Sequence, residues 1–277
     1  MAFDQEDLAH FQQHNECRGC DLRGITVSSS LLAGSDLSKA DHRGSNLEKS
    51  DLSWSNLAGA NLANANLSQA VLKLAVLTEA NIQGANLVEA NLRGATITNS
   101  DLRGSNLEFA DLTESNLNQS NLAKAQLSWA FLTRASLIGA NLDGAILEGA
   151  DMARANLQGS SLKNANLNWA NLQLAKLISA NLSGADLRLA LLSQADLTFA
   201  VLANADLRRT TLRDANLSFA SLFRADLRNS DLSWSNLSGT DLNAANLSNA
   251  EFGNTLLCGQ TNISRKPRKI KCSPQEP

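Results

Sequence analysis

Leucine recurs every fifth residue. From Leu22 to Leu257 the phase never slips across 48 successive positions, and 42 of them are Leu. The exceptions are Val27, His42, Ile82, Ile97, Met152 and Phe252. Two residues before each stands a small one, Ala, Ser or Thr throughout except Cys20 and Ile25. Between them lies mostly Asn or Asp, as at Asn61, Asn66, Asn86 and Asn91.

A period of five fits neither regular element. Five residues advance a helix well past one turn, so the leucines would scatter around the cylinder. In a flat strand five is odd, and successive leucines would alternate faces. One inward face is recovered only if each unit turns a corner. A large residue and a small one, two apart, then both point inward from a short extended side. Asn and Asp suit such corners because their side chains bond nearby backbone and tolerate unusual dihedrals. The chain must wind as a coil with Leu and Ala along its axis. Its backbone hydrogen bonds run from coil to coil.

Runs such as AGANLANANLSQA (residues 58–70) match the A(D/N)LXX motif, and here the sequence resembles the pentapeptide-repeat family. The resemblance covers residues 20–257. It implies an all-β fold, a right-handed quadrilateral β-helix with four repeats, or 20 residues, per coil. Asp-Leu-Arg at 186–188, 206–208 and 226–228 recurs at that spacing, and DLSWSNL at 51–57 returns at 231–237. About twelve coils follow, a rod on the order of 58 Å long at ~4.8 Å per strand. The CRGCDL start resembles the entry segment of many bacterial, notably cyanobacterial, repeat proteins.

The chain divides into a cap segment (1–19), the repeats (20–257) and a C-terminal loop and tail (258–277). Residues 3–15 can form a short helix that offers Leu8 and Phe11, on one face, to the first coil. That would shield the open strand edge. The tail holds Arg265, Lys266, Arg268, Lys269 and Lys271 with three prolines, and is expected to be mobile and solvated.

Composition removes several function classes. The 277 residues carry a net charge of −3, too mild to point to nucleic acid or membrane. No apolar run approaches a membrane span and no secretory leader opens the chain, so a cytoplasmic protein is expected. The three histidines (His10, His14 and His42) lie near the N-terminus, far from any nucleophile–base set. No enzyme, catalytic residue or cofactor is expected. His42 takes an inward Leu position and reads as a satisfied core histidine.

His10, His14, Cys17 and Cys20 form a weak metal-ligand candidate, the alternative to Cys20 simply filling a small inward slot. A Cys17–Cys20 or Cys258–Cys272 disulfide would need an oxidising compartment, which no export signal supports.

Function is therefore expected at the surface, as a scaffold that binds a protein partner. Two residues after each Leu the side chain faces outward. With 20 residues per coil, one column reads Phe109, Trp129, Gly149, Trp169, Leu189, with rings flanking a glycine notch. Phe109, Trp129, Trp169 and Leu189 are the candidate contact residues, since exposed apolar area with Trp marks interfaces. Phe199 and Phe219 are neighbours on another column. Arg188, Arg208 and Arg228 also stack, each beside an Asp two residues earlier, and read as a solvated charge ladder.

Two further readings remain. Some members of the family resembled imitate duplex DNA and bind type II topoisomerases such as gyrase, but they are strongly acidic and this chain is not. The acidic start and basic tail could instead meet head to tail, giving an end-to-end homo-oligomer.

Overall fold

The computed structural model describes residues 3–258. The one helix among them, α1 (Gln5–His14), opens on Asp4, whose carboxylate accepts hydrogen bonds from the backbone N–H groups of Glu6 and Asp7. It closes at Asn15, in the left-handed region, whose N–H returns to the Phe11 carbonyl. Phe11 is buried beneath it, and Leu8 packs against the core at the margin.

Beyond α1 the backbone is a β-helix. Every bridge is parallel and joins residue i to residue i+20, from Asp21↔Asp41 to Asn236↔Leu256. Four five-residue units thus complete one turn. The inward leucines are excluded from solvent from Leu37 to Leu237, and the alanines between them fill the remaining axis.

One unit accounts for why the pattern folds this way. Leu57 N–H donates to Val76 O of the next coil (2.7 Å), Gly59 N–H to Thr78 O (2.8 Å), and Asn61 N–H to Ala40 O of the preceding coil (2.9 Å). Ala60 N–H closes a tight turn on Leu57 O (3.0 Å). Only Ala58 N–H lacks a carbonyl partner, and the Asn56 side chain accepts it (3.1 Å). Asn and Asp therefore recur because they satisfy the fifth backbone donor of the unit. Where Ser136 and Ser161 take that place, Asn118 and Asp143 of the preceding coil accept instead, from Ile138 and Lys163 N–H. Side-chain amides also bond up the rod, Asn66 to Asn46 and Asn86 to Asn66.

The unusual dihedral expected of Asn and Asp sits elsewhere. It falls two residues after the Leu, at the second central residue of the turn, where φ lies near +60°. Glycine takes this place at Gly59 and Gly149. Lys39, Trp54, Glu79, Phe109 and Trp129 take it without glycine's freedom. Their strain is offset by inter-coil bonds on both sides of the turn.

The coil also begins one unit before Cys20. Cys17 continues the leucine phase, its N–H donates to Asp36 O, and Gly19 takes the positive φ of that turn. The basic tail and Cys272 lie outside the described residues.

Candidate functional site

All four Trp occupy the outward turn position: Trp54, Trp129, Trp169 and Trp234 are each half or more exposed. Phe109 and Leu189 share the column of Trp129 and Trp169, so the bridges at lag 20 align the four candidate contact residues on one corner. Phe109, Trp129 and Trp169 are 51%, 50% and 57% exposed, while Leu189 is half-buried. Two residues that the sequence reading missed widen this corner: Phe131 (50%) and Ile146 (40%), which stand at bridge positions flanking it. Asn or Asp ordinarily fills those positions, and that departure is the signal that would have found them.

The notch expected at Gly149 is filled. The Trp129 indole leans toward the next coil and lies over Gly149, where a Cβ would stand 2.5 Å from the ring. Phe219 lies over Gly239 and Leu74 over Gly94 in the same way. Outward side chains lean C-terminally, so a ring followed 20 residues later by glycine gains a seat. Phe199 stacks on Phe219 at 5.2 Å between centroids, as direct neighbours should.

At the cap, the turn that sets Cys17 in a leucine slot sets Cys20 in the following small slot. Both point inward with Cα atoms 5.4 Å apart, and they form a disulfide. This corrects the expectation that the two cysteines stay unbonded: the turn geometry brings the sulfurs together. The Asp7 carboxylate, rather than either candidate histidine, stands near the sulfurs, with ligand atoms within 4.8 Å of one another. Asp7 also accepts from Asp21 N–H (2.7 Å), so it already pins α1 to the first coil. His10 and His14 stack on each other at the surface, 4.4 Å between centroids, and His14 Nδ1 bonds the His10 carbonyl. The structure thus divides the four metal-ligand candidates between an exposed pair and a buried disulfide.

His42 is buried as expected but is not satisfied. Neither ring nitrogen has a hydrogen-bond partner among the described residues, nor has the nearby inward hydroxyl of Ser45. The ring meets Phe11 of α1 edge-on at 6.3 Å. Burial pushes the imidazole down to about 4, against a smaller opposing pull from Asp41.

The Arg column is more ordered than a loose ladder. Arg188, Arg208 and Arg228 each donate from Nε and Nη2 to the Asp two residues earlier, and the same Asp accepts the Arg backbone N–H. The Arg228 guanidinium holds the Asp226 carboxyl below the usual carboxylate value. Arg188 and Arg208 also reach the Asp of the next coil at 3.7 Å. Asp21–Arg23, Asp41–Arg43 and Asp101–Arg103 repeat the clamp elsewhere.

The model of the pentapeptide repeats family matches the chain in eight copies, over residues 16–53, 55–94, 100–137, 135–173, 155–194, 190–229 and 225–259. The chain belongs to the pentapeptide repeat family. Pentapeptide repeat proteins form right-handed β-helices, the hand expected from the sequence. HetL, a pentapeptide repeat protein involved in heterocyst differentiation regulation from the cyanobacterium Nostoc sp. strain PCC 7120, is 31% identical, over 93% of this chain and 98% of that one, at a TM-score of 0.29. Rfr23 from the cyanobacterium Cyanothece 51142 is 34% identical, over 43% of this chain and 95% of its own, at a TM-score of 0.42. A trypsin-treated QnrB1, a plasmid-mediated fluoroquinolone resistance protein, shares 19% identity over 60% of this chain and 88% of that one, at a TM-score of 0.50, a likeness of fold alone. The search of curated proteins found no match. No helix among the described residues is long and apolar enough to cross a membrane.

Proposed function

We propose that this pentapeptide repeat protein is a non-enzymatic scaffold, a squared rod of about twelve coils that binds a protein partner through one corner. The observation that carries this is the exposed cluster of Phe109, Trp129, Phe131, Ile146 and Trp169, each 40–57% exposed on successive coils. Large apolar side chains left in water on a rigid support match the make-up of binding hot spots. The support is stiff because hydrogen bonds to the neighbouring coils hold each unit on both sides. HetL carries a regulatory role in its cyanobacterium, and regulation by a surface that captures other proteins suits this corner.

The test is a double variant, Trp129→Ser with Trp169→Ser. Neither ring enters the axial core, so the far-ultraviolet circular dichroism should not change. Partner capture from the native host should fall, and the affinity of the captured protein, once purified, should drop by about tenfold or more, since hot-spot truncations cost ~2 kcal/mol or more. Unchanged capture and affinity would remove the proposal.

Imitation of duplex DNA draws no support from the electrostatics. The net charge is −3, and six Asp residues are clamped by arginines two positions on. Duplex-like charge density is absent. A gyrase supercoiling assay with added protein should show no change.

A further inference from the structure

Arg188, Arg208 and Arg228 stand on three successive coils, and Arg209 stands beside Arg208. With Asn168, Leu189 and Asn229 they line an open cleft of about 280 Å³. Each of the three stacked arginines commits Nε and Nη2 to its own Asp, which fixes the guanidinium plane and leaves Nη1 outside the clamp. Arg209 sits at the exposed turn position with φ near +59°, and among the described residues it lies within ion-pair distance of no carboxylate.

Charge and spacing narrow the ligand. Asp186, Asp206 and Asp226 balance the stacked arginines, and Glu148 acts on Arg188 from the N-terminal side. The uncompensated positive charge is Arg209, at the middle of the cleft. Around it three fixed Nη1 donors rise at the coil spacing of ~4.8 Å. Asn168 and Asn229 add amide groups at the two ends. Such an array suits an anion with many acceptor oxygens directed several ways. A lone carboxylate offers only two. The volume exceeds that of a single phosphate.

The basic strip is also short. In the same column Glu148 stands one coil before Asn168, and Ser248 one coil after Arg228. A nucleic-acid backbone would run off it within three coils, whereas a small ligand would not.

We propose that this cleft binds a small ligand carrying two linked phosphate groups, with Arg209 supplying the net charge and Arg188, Arg208 and Arg228 the oriented donors. Arginine forks are well matched to phosphate oxygens, and charge-assisted bonds of this kind are the strong ones. Leu189 borders both the cleft and the partner corner, but Trp129 and Trp169 do not line the cleft and Arg209 is no part of the corner's apolar cluster, so the Trp129/Trp169 and Arg209 variants test the two proposals separately.

The experiment is isothermal titration of the full chain with pyrophosphate, in parallel with inorganic phosphate, citrate and phosphatidylcholine vesicles carrying a phosphoinositide. One pyrophosphate should bind per chain, more tightly than phosphate or citrate. Arg209→Gln should weaken it by about tenfold or more, the loss of a charge-assisted pair, and Arg209→Lys should weaken it less. Arg209 is exposed and unclamped, so both variants should keep the wild-type circular dichroism. Arg103→Gln removes a clamped arginine outside the stack and should leave binding unchanged. No heat at millimolar pyrophosphate would overturn the proposal. So would an equal loss in Arg103→Gln, citrate binding as tightly as pyrophosphate, or binding only to phosphoinositide-bearing vesicles.

Discussion

His42 shows what a single departure from the repeat costs. An inward imidazole with two unpaired nitrogens occupies a slot that Leu fills on both neighbouring coils, Leu22 and Leu62. Its folded value of about 4 lies below the ordinary 6.5, because burial disfavours the charged ring. The unfolded chain therefore takes up the proton first. Stability from this residue is whole above pH 6.5, declines as pH falls toward 4, and levels off below it. His42→Leu should raise the urea midpoint at pH 7, since unpaired buried polar atoms cost ~1–3 kcal/mol each. The gain should widen at pH 4.5. Parallel midpoints for the two proteins across that range would show that the ring is not desolvated. The sequence told that His42 faces inward, since phase alone decides it. It did not tell that the nitrogens go unpaired, because that depends on whether Ser45 turns toward them, a matter of rotamer rather than period.

At the scale of the five-residue unit, the turn and the seat beneath a ring carry different costs. Gly104 and Gly149 both hold positive φ, but a Cβ at Gly104 meets nothing within 4 Å, whereas one at Gly149 meets the Trp129 ring. Gly104→Ala should cost ~1 kcal/mol, the left-handed penalty alone. Gly149→Ala should cost more and shift the Trp129 fluorescence as the indole lifts. Adding Trp129→Ser should bring the Gly149→Ala cost back to that of Gly104→Ala, leaving a coupling of ~0.5–3 kcal/mol. Equal costs at the two glycines would mean the indole does not rest there. The leucine column, the coil and the outward class of the Trp residues were all legible from spacing. The left-handed turn was not, because Trp, Lys, Glu and Phe occupy it as freely as Gly, and inter-coil bonds override their local preference. The Cys17–Cys20 disulfide was not expected because redox compartment was weighed and the turn was not: Cys17 continues the leucine phase, which points it inward beside Cys20. Arg209 stands two residues after Leu207, where the clamped arginines stand one after theirs, so spacing separates it from them; what spacing does not show is the cleft that gathers it with them.

For the whole molecule, the period of five and the period of 20 are separable, and function should follow only the second. Each coil contacts its neighbours alone, so stability is close to a sum over coils. Any multiple of five can then be removed without moving a leucine out of the axis. Deleting residues 61–70 keeps every inward position and turns the upstream coils by half a turn relative to the rest. The corner from Phe109 to Leu189 stays whole, so this variant should fold with wild-type circular dichroism and keep its partner. Deleting residues 151–160 removes no ring of the corner and makes the same half turn between Gly149 and Trp169. Trp169 then moves to the opposite corner, and Ser179 takes its place. This protein should fold equally well yet bind its partner about tenfold or more weakly, since a hot-spot side chain has left the patch. The Arg cleft lies wholly downstream of that deletion and should keep its pyrophosphate affinity. If the 151–160 deletion bound its partner as the wild type does, recognition would rest on the repeat itself and not on the registered corner. If it failed to fold, the five-residue unit would not be the interchangeable element that the shared hydrogen-bond pattern of every unit makes it.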